Sequence, residues 1–145
     1  MKKAILVSPV VGVYKLRLDQ GDEAFEEIAK YCKENRITAA DINMIGACTW
    51  VEIYFYNPDS KEYEKLQIKE NLEVLPTIGN IGLLNNEPIL HVHGSFSNKE
   101  FNAVYAGHIN KLIVGATLEV NITVYAGTIT REFDEVTCLN LMSLK

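Results

Sequence analysis

The sequence is most regular in residues 117–124, which read TLEVNITV. Leucine, valine and isoleucine occupy every second position, and threonine, glutamate and asparagine occupy the positions between them. Successive side chains of a β-strand point to opposite faces of its sheet, so this alternation predicts a strand with one buried face and one polar face. We expect the strand to extend over about residues 113–125.

Strand patterns also dominate the chain before this segment. Residues 10–18 alternate, and residues 38–56 are rich in isoleucine, valine and aromatic residues, with Gly46 as an expected bulge or bend. The turn sequence NPDS at 57–60 separates that stretch from a returning strand at 61–69. Strands joined by such short turns are typical of an antiparallel sheet.

The middle of the chain mixes strands with turn signals. A short strand is expected over 71–79, with turns at 79–82 (GNIG) and at Asn85-Asn86. A further strand is expected at about 88–97. The following residues, 97–111, resemble a loop or a short helix.

One segment, residues 22–35, carries a helical pattern. Its apolar residues follow the i, i+3, i+4, i+7 spacing of a helix that packs on a sheet. Those residues are Phe25, Ile28, Ala29 and Cys32. Asp22 is expected to cap the helix, and three glutamates in its first turn favour the positive end of the helix dipole. One helix among many strands predicts a single α+β domain over residues 1–145, with the helix packed on a largely antiparallel, barrel-like sheet.

The charge balance bears on the class of partner. The 145 residues carry a formal net charge of −5 and include three arginines, Arg17, Arg36 and Arg131. Binding to the phosphates of nucleic acid needs a cationic surface, so this composition does not favour direct DNA binding.

The cysteines and the N-terminus bear on the compartment. Three widely spaced cysteines without a CxxC motif predict reduced, mostly buried thiols in a cytoplasmic protein. They are Cys32, Cys48 and Cys138. Residues 1–7 (MKKAILV) resemble the start of a signal peptide, but Ser8-Pro9 interrupts the apolar run and no clear cleavage site precedes Lys15. We therefore expect neither secretion nor a membrane span, for which roughly 18 apolar residues are needed.

All three histidines of the chain fall within eighteen residues. His91 and His93 lie in the alternating segment 90–96 (LHVHGSF), which places both imidazoles on one face, about 6.6 Å apart by strand rise. His108 follows Gly107 and is expected to complete the set from a loop. Three neutral imidazoles on one ion leave the fourth position of tetrahedral zinc open. The alternative is an ordinary exposed strand that happens to carry an H-x-H pair.

Several motifs taken together resemble the plant-and-prokaryote conserved (PPC) domain, which accompanies AT-hook motifs in plant nuclear proteins. They are the histidine strand, Ala106-Gly107-His108, Leu118-Glu119-Val120, the LxxGD sequence at 18–22, Ile45-Gly46-Ala47 and Gly79-Asn80-Ile81. The resemblance covers nearly the whole chain and implies a compact α+β domain that assembles as a homotrimer. It also implies that prokaryotic members bind a metal, zinc, through the residues that match His91, His93 and His108.

Three functions are compatible with these observations. The first, which we adopt, is a homotrimeric metal-binding scaffold or sensor with zinc as its ion. In it, Glu119 is a candidate acceptor for an imidazole N–H if its strand lies beside the histidine strand, and the alternative, which we favour, is an ordinary exposed strand residue. The second is a zinc-dependent hydrolase or lyase, for which Glu119 and Glu100 are the nearby candidate acids or bases and no catalytic residue is assigned. The third is a DNA-associated regulator, by family resemblance alone, because the chain has no AT-hook.

A protein partner is a further possibility for the surface of the trimer. The aromatic run of Trp50, Tyr54 and Tyr56 offers one patch for it, although such rings more often pack in a core or between subunits.

Overall fold

Nine strands and one helix are found in residues 9–143, the part of the chain that the computed structural model describes. In chain order they are β1 (Val10–Asp19), α1 (Ala24–Glu34), β2 (Ala40–Asn57), β3 (Glu62–Ile68), β4 (Leu72–Val74), β5 (Ile78–Leu84), β6 (Glu87–Ser97), β7 (Ala103–Tyr125), β8 (Arg131–Asp134) and β9 (Leu139–Met142).

Seven of the strands form one antiparallel sheet. Its order is β1-β7-β2-β4-β6-β5, with β3 paired to β2, and β6–β7 and β2–β5 pair in addition. The strands β8 and β9 form a separate hairpin. The predicted α+β class, with a largely antiparallel sheet and one main helix, is confirmed. The additional pairings bring β6 against the first half of β7, which positions the histidines described below.

The strand predicted from the TLEVNITV segment is confirmed as the second half of β7. Its apolar side chains, Leu118, Val120, Ile122 and Val124, are all buried. The strand begins ten residues earlier than predicted, however, and the loop or short helix expected over 97–111 is wrong. Only residues 98–102 form a turn. The segment 103–111 lacks a regular alternation but is held as a strand by pairing with β6 on one side and β2 on the other.

The predicted helix is confirmed, and it covers the core. Ala24, Ile28 and Cys32 are fully buried against the sheet, while Phe25 and Ala29 are half-buried at the edge of the contact. The helix therefore buries a narrower stripe than the sequence pattern predicted.

The predicted cap is wrong by one residue. Glu23, not Asp22, caps α1, and its side chain accepts a 2.8 Å hydrogen bond from the N–H of Glu26. The helix starts one residue later than expected, so the Asp22 carboxylate instead accepts a bond from the N–H of Asp19. The other oxygen of Glu23 accepts a 2.9 Å bond from the N–H of Leu112, which ties the start of the helix to β7.

The turn predicted at 79–82 is also wrong, because these residues lie inside β5. Gly79 and Gly82 allow close packing of neighbouring chain segments and do not form a turn. A Cβ at Gly79 would lie 2.2 Å from the carbonyl oxygen of His91, and one at Gly82 would lie 2.8 Å from that of Ile129.

Two other predicted irregularities are confirmed. Asn85 and Asn86 have φ values of 53° and 66° and form the tight turn between β5 and β6. Gly46 lies at a register shift between β2 and β7 with φ of 150°, a conformation that favours glycine. The strand expected over 71–79 is shorter, because only β4 and the first residues of β5 are extended there.

The cysteines are free, as predicted: Cys32 and Cys48 are buried and Cys138 is exposed. Burial raises the pKa of the Cys32 thiol to about 11 and that of Cys48 to about 12, so both stay protonated and unreactive at neutral pH.

The prediction that residues 1–7 are not a signal peptide concerns a segment outside the described residues. Among the helices within 9–143, none combines the length and apolar character that a membrane crossing requires.

Candidate metal centre

The structure brings the three histidines together on two adjacent strands. His93 on β6 lies directly across from His108 on β7, and His91 is two residues away on the same face of β6. The ring centroids are 5.2 Å, 5.2 Å and 5.3 Å apart. His108 thus lies on a strand and not on the predicted loop, so its position is fixed by backbone pairing on both sides.

The donor set fits a divalent metal ion. One nitrogen from each imidazole lies within 4.8 Å of the others. Zinc–nitrogen bonds of 2.0–2.1 Å in a tetrahedral arrangement require nitrogens about 3.3 Å apart. To hold one ion, the imidazole rings would have to rotate so that their nitrogens, now within 4.8 Å of one another, reach that separation. His91 and His108 are half-buried and His93 is exposed, so the cluster reaches the protein surface.

Burial keeps two of the imidazoles in the neutral form that a metal needs. It is the main cause that lowers the pKa of His108 to about 4, with smaller contributions from the positive charges of His91, His93 and Arg131. Burial also lowers the pKa of His91, followed by the charges of Arg131 and His93. Both rings are therefore unprotonated at neutral pH and present free lone pairs.

Aromatic rings orient His108 from its other side. Tyr54 on β2 is the cross-strand partner of His108, and the two rings lie nearly parallel, at an angle of 11° with centroids 6.1 Å apart. Tyr63 on β3 lies 5.9 Å from the same imidazole. The predicted aromatic patch of Trp50, Tyr54 and Tyr56 is half-buried, and Tyr54 supports the site directly.

A buried carboxylate anchors the strands behind these rings. Glu52 is 4% exposed and accepts 2.6 Å hydrogen bonds from the side chains of Gln67 on β3 and Asn110 on β7. The hydrogen bond from Gln67 is the main cause that keeps the pKa of Glu52 low in spite of its burial. Glu52 is thus an ionised acceptor that joins three strands. The signal for it was a charged residue within residues 42–56 of β2, which are otherwise uncharged.

Arg131, at the start of β8, is a site residue that the sequence did not reveal. Its Nη2 donates a 2.7 Å hydrogen bond to the side-chain oxygen of Asn80 on β5. Asn80 is the cross-strand partner of His91, so the guanidinium lies on the histidine face of the sheet. No local pattern marked Arg131, which is 23 residues from His108 in the chain.

A cavity of about 510 Å³ opens beside the histidines, and we call it the histidine cavity. Its lining includes His91, His108, Tyr54 and Tyr63, together with Arg131 and residues of β9. The β8–β9 hairpin is held over it by a 2.6 Å hydrogen bond from the Tyr56 hydroxyl to the carbonyl of Thr137. The arrangement provides a site for a cation with space for a small molecule next to it.

The two other glutamates singled out from the sequence do not reach the histidines. Glu119 lies in the half of β7 that pairs with β1 and β2, opposite Arg17 and Ile45. The pairing between β6 and β7 involves only the first residues of β7. The condition for Glu119 to accept an imidazole N–H is therefore not met. Glu100 is exposed in the turn after β6, with its carboxylate 3.6 Å from the ammonium of Lys99.

Several solved structures share this fold over nearly their whole length. A metal-containing protein from Archaeoglobus fulgidus is 32% identical, with a TM-score of 0.89, and the match covers 97% of this chain and 99% of that one. A plant- and prokaryote-conserved protein from Pyrococcus horikoshii is 29% identical, with a TM-score of 0.87 and coverage of 97% and 96%. A proposed DNA-binding protein from Bacteroides thetaiotaomicron is 26% identical, with a TM-score of 0.87 and coverage of 96% of both chains.

Comparison with curated protein sequences finds no significant match. The family model described as the Plants and Prokaryotes Conserved domain matches residues 8–126. That range contains all three histidines and ends before Arg131. The chain belongs to the Plants and Prokaryotes Conserved domain family.

Proposed function

We infer that this protein is a metal-binding member of the family and holds one zinc ion per chain through His91, His93 and His108. The observation that carries the proposal is the convergence of three imidazole nitrogens within 4.8 Å on paired strands. Imidazole donors suit zinc, although they also accept copper, nickel and iron. The Archaeoglobus relative, described as metal-containing, supports the presence of a metal. Zinc with three imidazoles and an open position is able to polarise an oxygen ligand or acidify a water.

The proposal includes a homotrimer in the cytoplasm. Several large apolar side chains are strongly exposed on the single chain, which supports burial against further copies. Among them are Val11 at 62%, Val13 at 58%, Ile78 at 76% and Phe101 at 95% exposed. The free thiols support a reducing compartment.

Elemental analysis of protein purified without a histidine tag, together with its native mass, tests this proposal. We expect close to one zinc ion per chain on a particle of three times the 16.3 kDa chain mass. Protein that is metal-free and also refuses added zinc would overturn the metal site. A monomeric mass would overturn the trimer independently of the metal.

Zinc affinity is expected to fall in acid over an extended range of pH. Protons compete with the metal for the imidazoles, and free histidine titrates near 6.5. Because burial lowers the pKa of His91 and lowers that of His108 to about 4, protons compete less well at these two donors. We therefore expect the loss of affinity to continue down to about pH 4 and not to be complete just below 6.5.

A competition titration with a chromophoric chelator across this range measures the pH dependence. The chelator's own proton affinity is calibrated in parallel without protein. Affinity that stays constant from about pH 5 to pH 8 would contradict ligation by three histidines.

A zinc-dependent hydrolase or lyase is the second candidate, and the histidine cavity is the observation that favours it. The cavity leaves room for a substrate beside the ion. Turnover of esters, phosphoesters or lactams by zinc-loaded protein, lost in a histidine variant, would establish it.

Direct DNA binding is not part of the proposal, because the chain carries a net charge of −5. A salt-dependent mobility shift of an A·T-rich DNA duplex on addition of the protein would show direct DNA binding.

A further inference from the structure

Arg131 places a positive charge in the wall of the histidine cavity without a matching negative charge. Its described hydrogen-bond partners are two neutral oxygens, the side chain of Asn80 at 2.7 Å and the carbonyl of Asn140 at 3.3 Å. Within residues 9–143, no carboxylate forms an ion pair with it. Its Nε–H is buried and has no partner among the same residues. Arg131 as a whole is half-buried, and an anion in the cavity would offset the partial loss of water from its charge.

Two carboxylates line the cavity, those of Glu23 and Glu26, and neither forms an ion pair with Arg131. Glu23 lines the cavity, but its two carboxylate oxygens already accept hydrogen bonds from the N–H groups of Glu26 and Leu112. Glu26 is exposed to solvent on α1. Lys111 adds a further positive charge to the lining. A divalent ion on three neutral imidazoles would increase the positive charge of the same space.

Much of the remaining lining of the cavity is apolar. Its apolar lining comes from α1, the start of β6 and β9, and includes Phe25, Pro88, Ile89, Leu90, Leu139 and Leu141. A volume of about 510 Å³ lies within the range of small-molecule sites. A ligand that fits this lining has one anionic group for the guanidinium and a hydrocarbon body of several carbons.

We propose that the histidine cavity binds a small organic acid whose carboxylate is received by Arg131 beside the metal site. A guanidinium presents paired N–H donors that match the two oxygens of a carboxylate. The two terminal nitrogens of Arg131 each carry a second N–H besides the one given to Asn80 or Asn140. The inference deepens the function proposed above, because it assigns a ligand class to the same site. Arg131 lies beyond the residues matched by the family model.

Calorimetric titration with hexanoate tests the ligand class. Hexanamide is the matched neutral probe, and inorganic phosphate is the matched anion without a hydrocarbon body. We expect zinc-loaded protein to bind hexanoate roughly ten-fold or more tightly than either, because a charge-assisted pair and apolar burial act together. Equal binding of hexanoate and hexanamide, tighter binding of phosphate, or no hexanoate binding at millimolar concentration would overturn the proposal.

The variant Arg131→Gln tests the residue. We expect it to lose roughly ten-fold or more of the hexanoate affinity while its hexanamide affinity and zinc content stay unchanged. Arg17→Gln is the matched control, because Arg17 is exposed on β1 and pairs with Asp19 at 2.9 Å. Hexanoate affinity that is unchanged in Arg131→Gln would overturn the assignment. If that variant does not fold, Arg131→Lys replaces it. We expect the hexanoate affinity of Arg131→Lys to lie between those of the wild type and of a variant without the charge. A hexanoate affinity equal to that of the wild type would contradict a role for the paired donors.

The metal site and the organic-acid site are tested by different measurements. Metal-free protein that still prefers hexanoate over hexanamide through Arg131 would support the acid site while elemental analysis rejects the metal. Stoichiometric zinc without any preference for hexanoate would support the metal and overturn the acid site.

Discussion

Replacing His91 and His93 together by alanine is expected to reduce the zinc content of the purified protein from about one ion per chain to nearly none. The double variant removes two of three donors that lie within 4.8 Å of one another and leaves the imidazole of His108 alone. A single neutral imidazole on a half-buried strand cannot retain a divalent ion through purification, because the remaining positions would have to be filled by water.

Elemental analysis of variant and wild type, purified side by side, measures this loss. The matched control is Ser95→Ala, because Ser95 is the next residue on the same face of β6 and is paired with Ala106 instead of a histidine. The control is expected to keep its zinc. Unchanged metal content in the double variant would show that the ion, if present, is bound elsewhere. The single variant His93→Ala should lose most of the zinc as well, because only two of the three imidazole donors remain.

Gly79→Ala is expected to lower the free energy of unfolding by about 2–4 kcal/mol. A Cβ at this position would lie 2.2 Å from the carbonyl oxygen of His91 and 2.8 Å from the Cα of Val92. Both are backbone atoms of the adjacent strand β6, so no side chain can turn aside to make room. The strands β5 and β6 must separate, which weakens their pairing and moves Asn80 and His91 apart.

Urea denaturation followed by circular dichroism measures this effect. Gly12→Ala is the matched control, because Gly12 also lies in a strand but the nearest atom to its added Cβ is the ring of Tyr14, at 3.2 Å. An exposed side chain can rotate away, so we expect a change within about 0.5–1 kcal/mol there. Equal stabilities of the two variants would contradict the close strand approach at Gly79. The zinc affinity of Gly79→Ala should fall together with its stability, because the same shift displaces His91.

The elements that could be predicted are those specified by short-range periodicity. The alternation of residues 117–124 is enough to specify a half-buried strand, and the spacing of Ile28 and Cys32 is enough to specify the face of the helix that packs. The distance between His91 and His93 follows from the rise of one strand. Each of these depends on fewer than a dozen consecutive residues, so local backbone geometry determines it.

The start of β7 and the glycines of β5 were mispredicted for the opposite reason. Residues 103–111 have no clear period and become a strand only because β6 and β2 supply hydrogen-bond partners on both sides. Gly79 and Gly82 have the composition of a turn, but the proximity of other strands is what requires a residue without a side chain. Cross-strand packing overrides local propensity in both cases.

By itself, the sequence determined the α+β class, the helix, most of the strands and the pairing of His91 with His93 on one face. Only the tertiary structure decided that His108 enters from the neighbouring strand, that Tyr54 stacks on it, and that Arg131 reaches the same cavity. These contacts join residues far apart in the chain, and their register depends on the packing of several strands at once. No local pattern can encode such a register, because it is a property of the whole sheet.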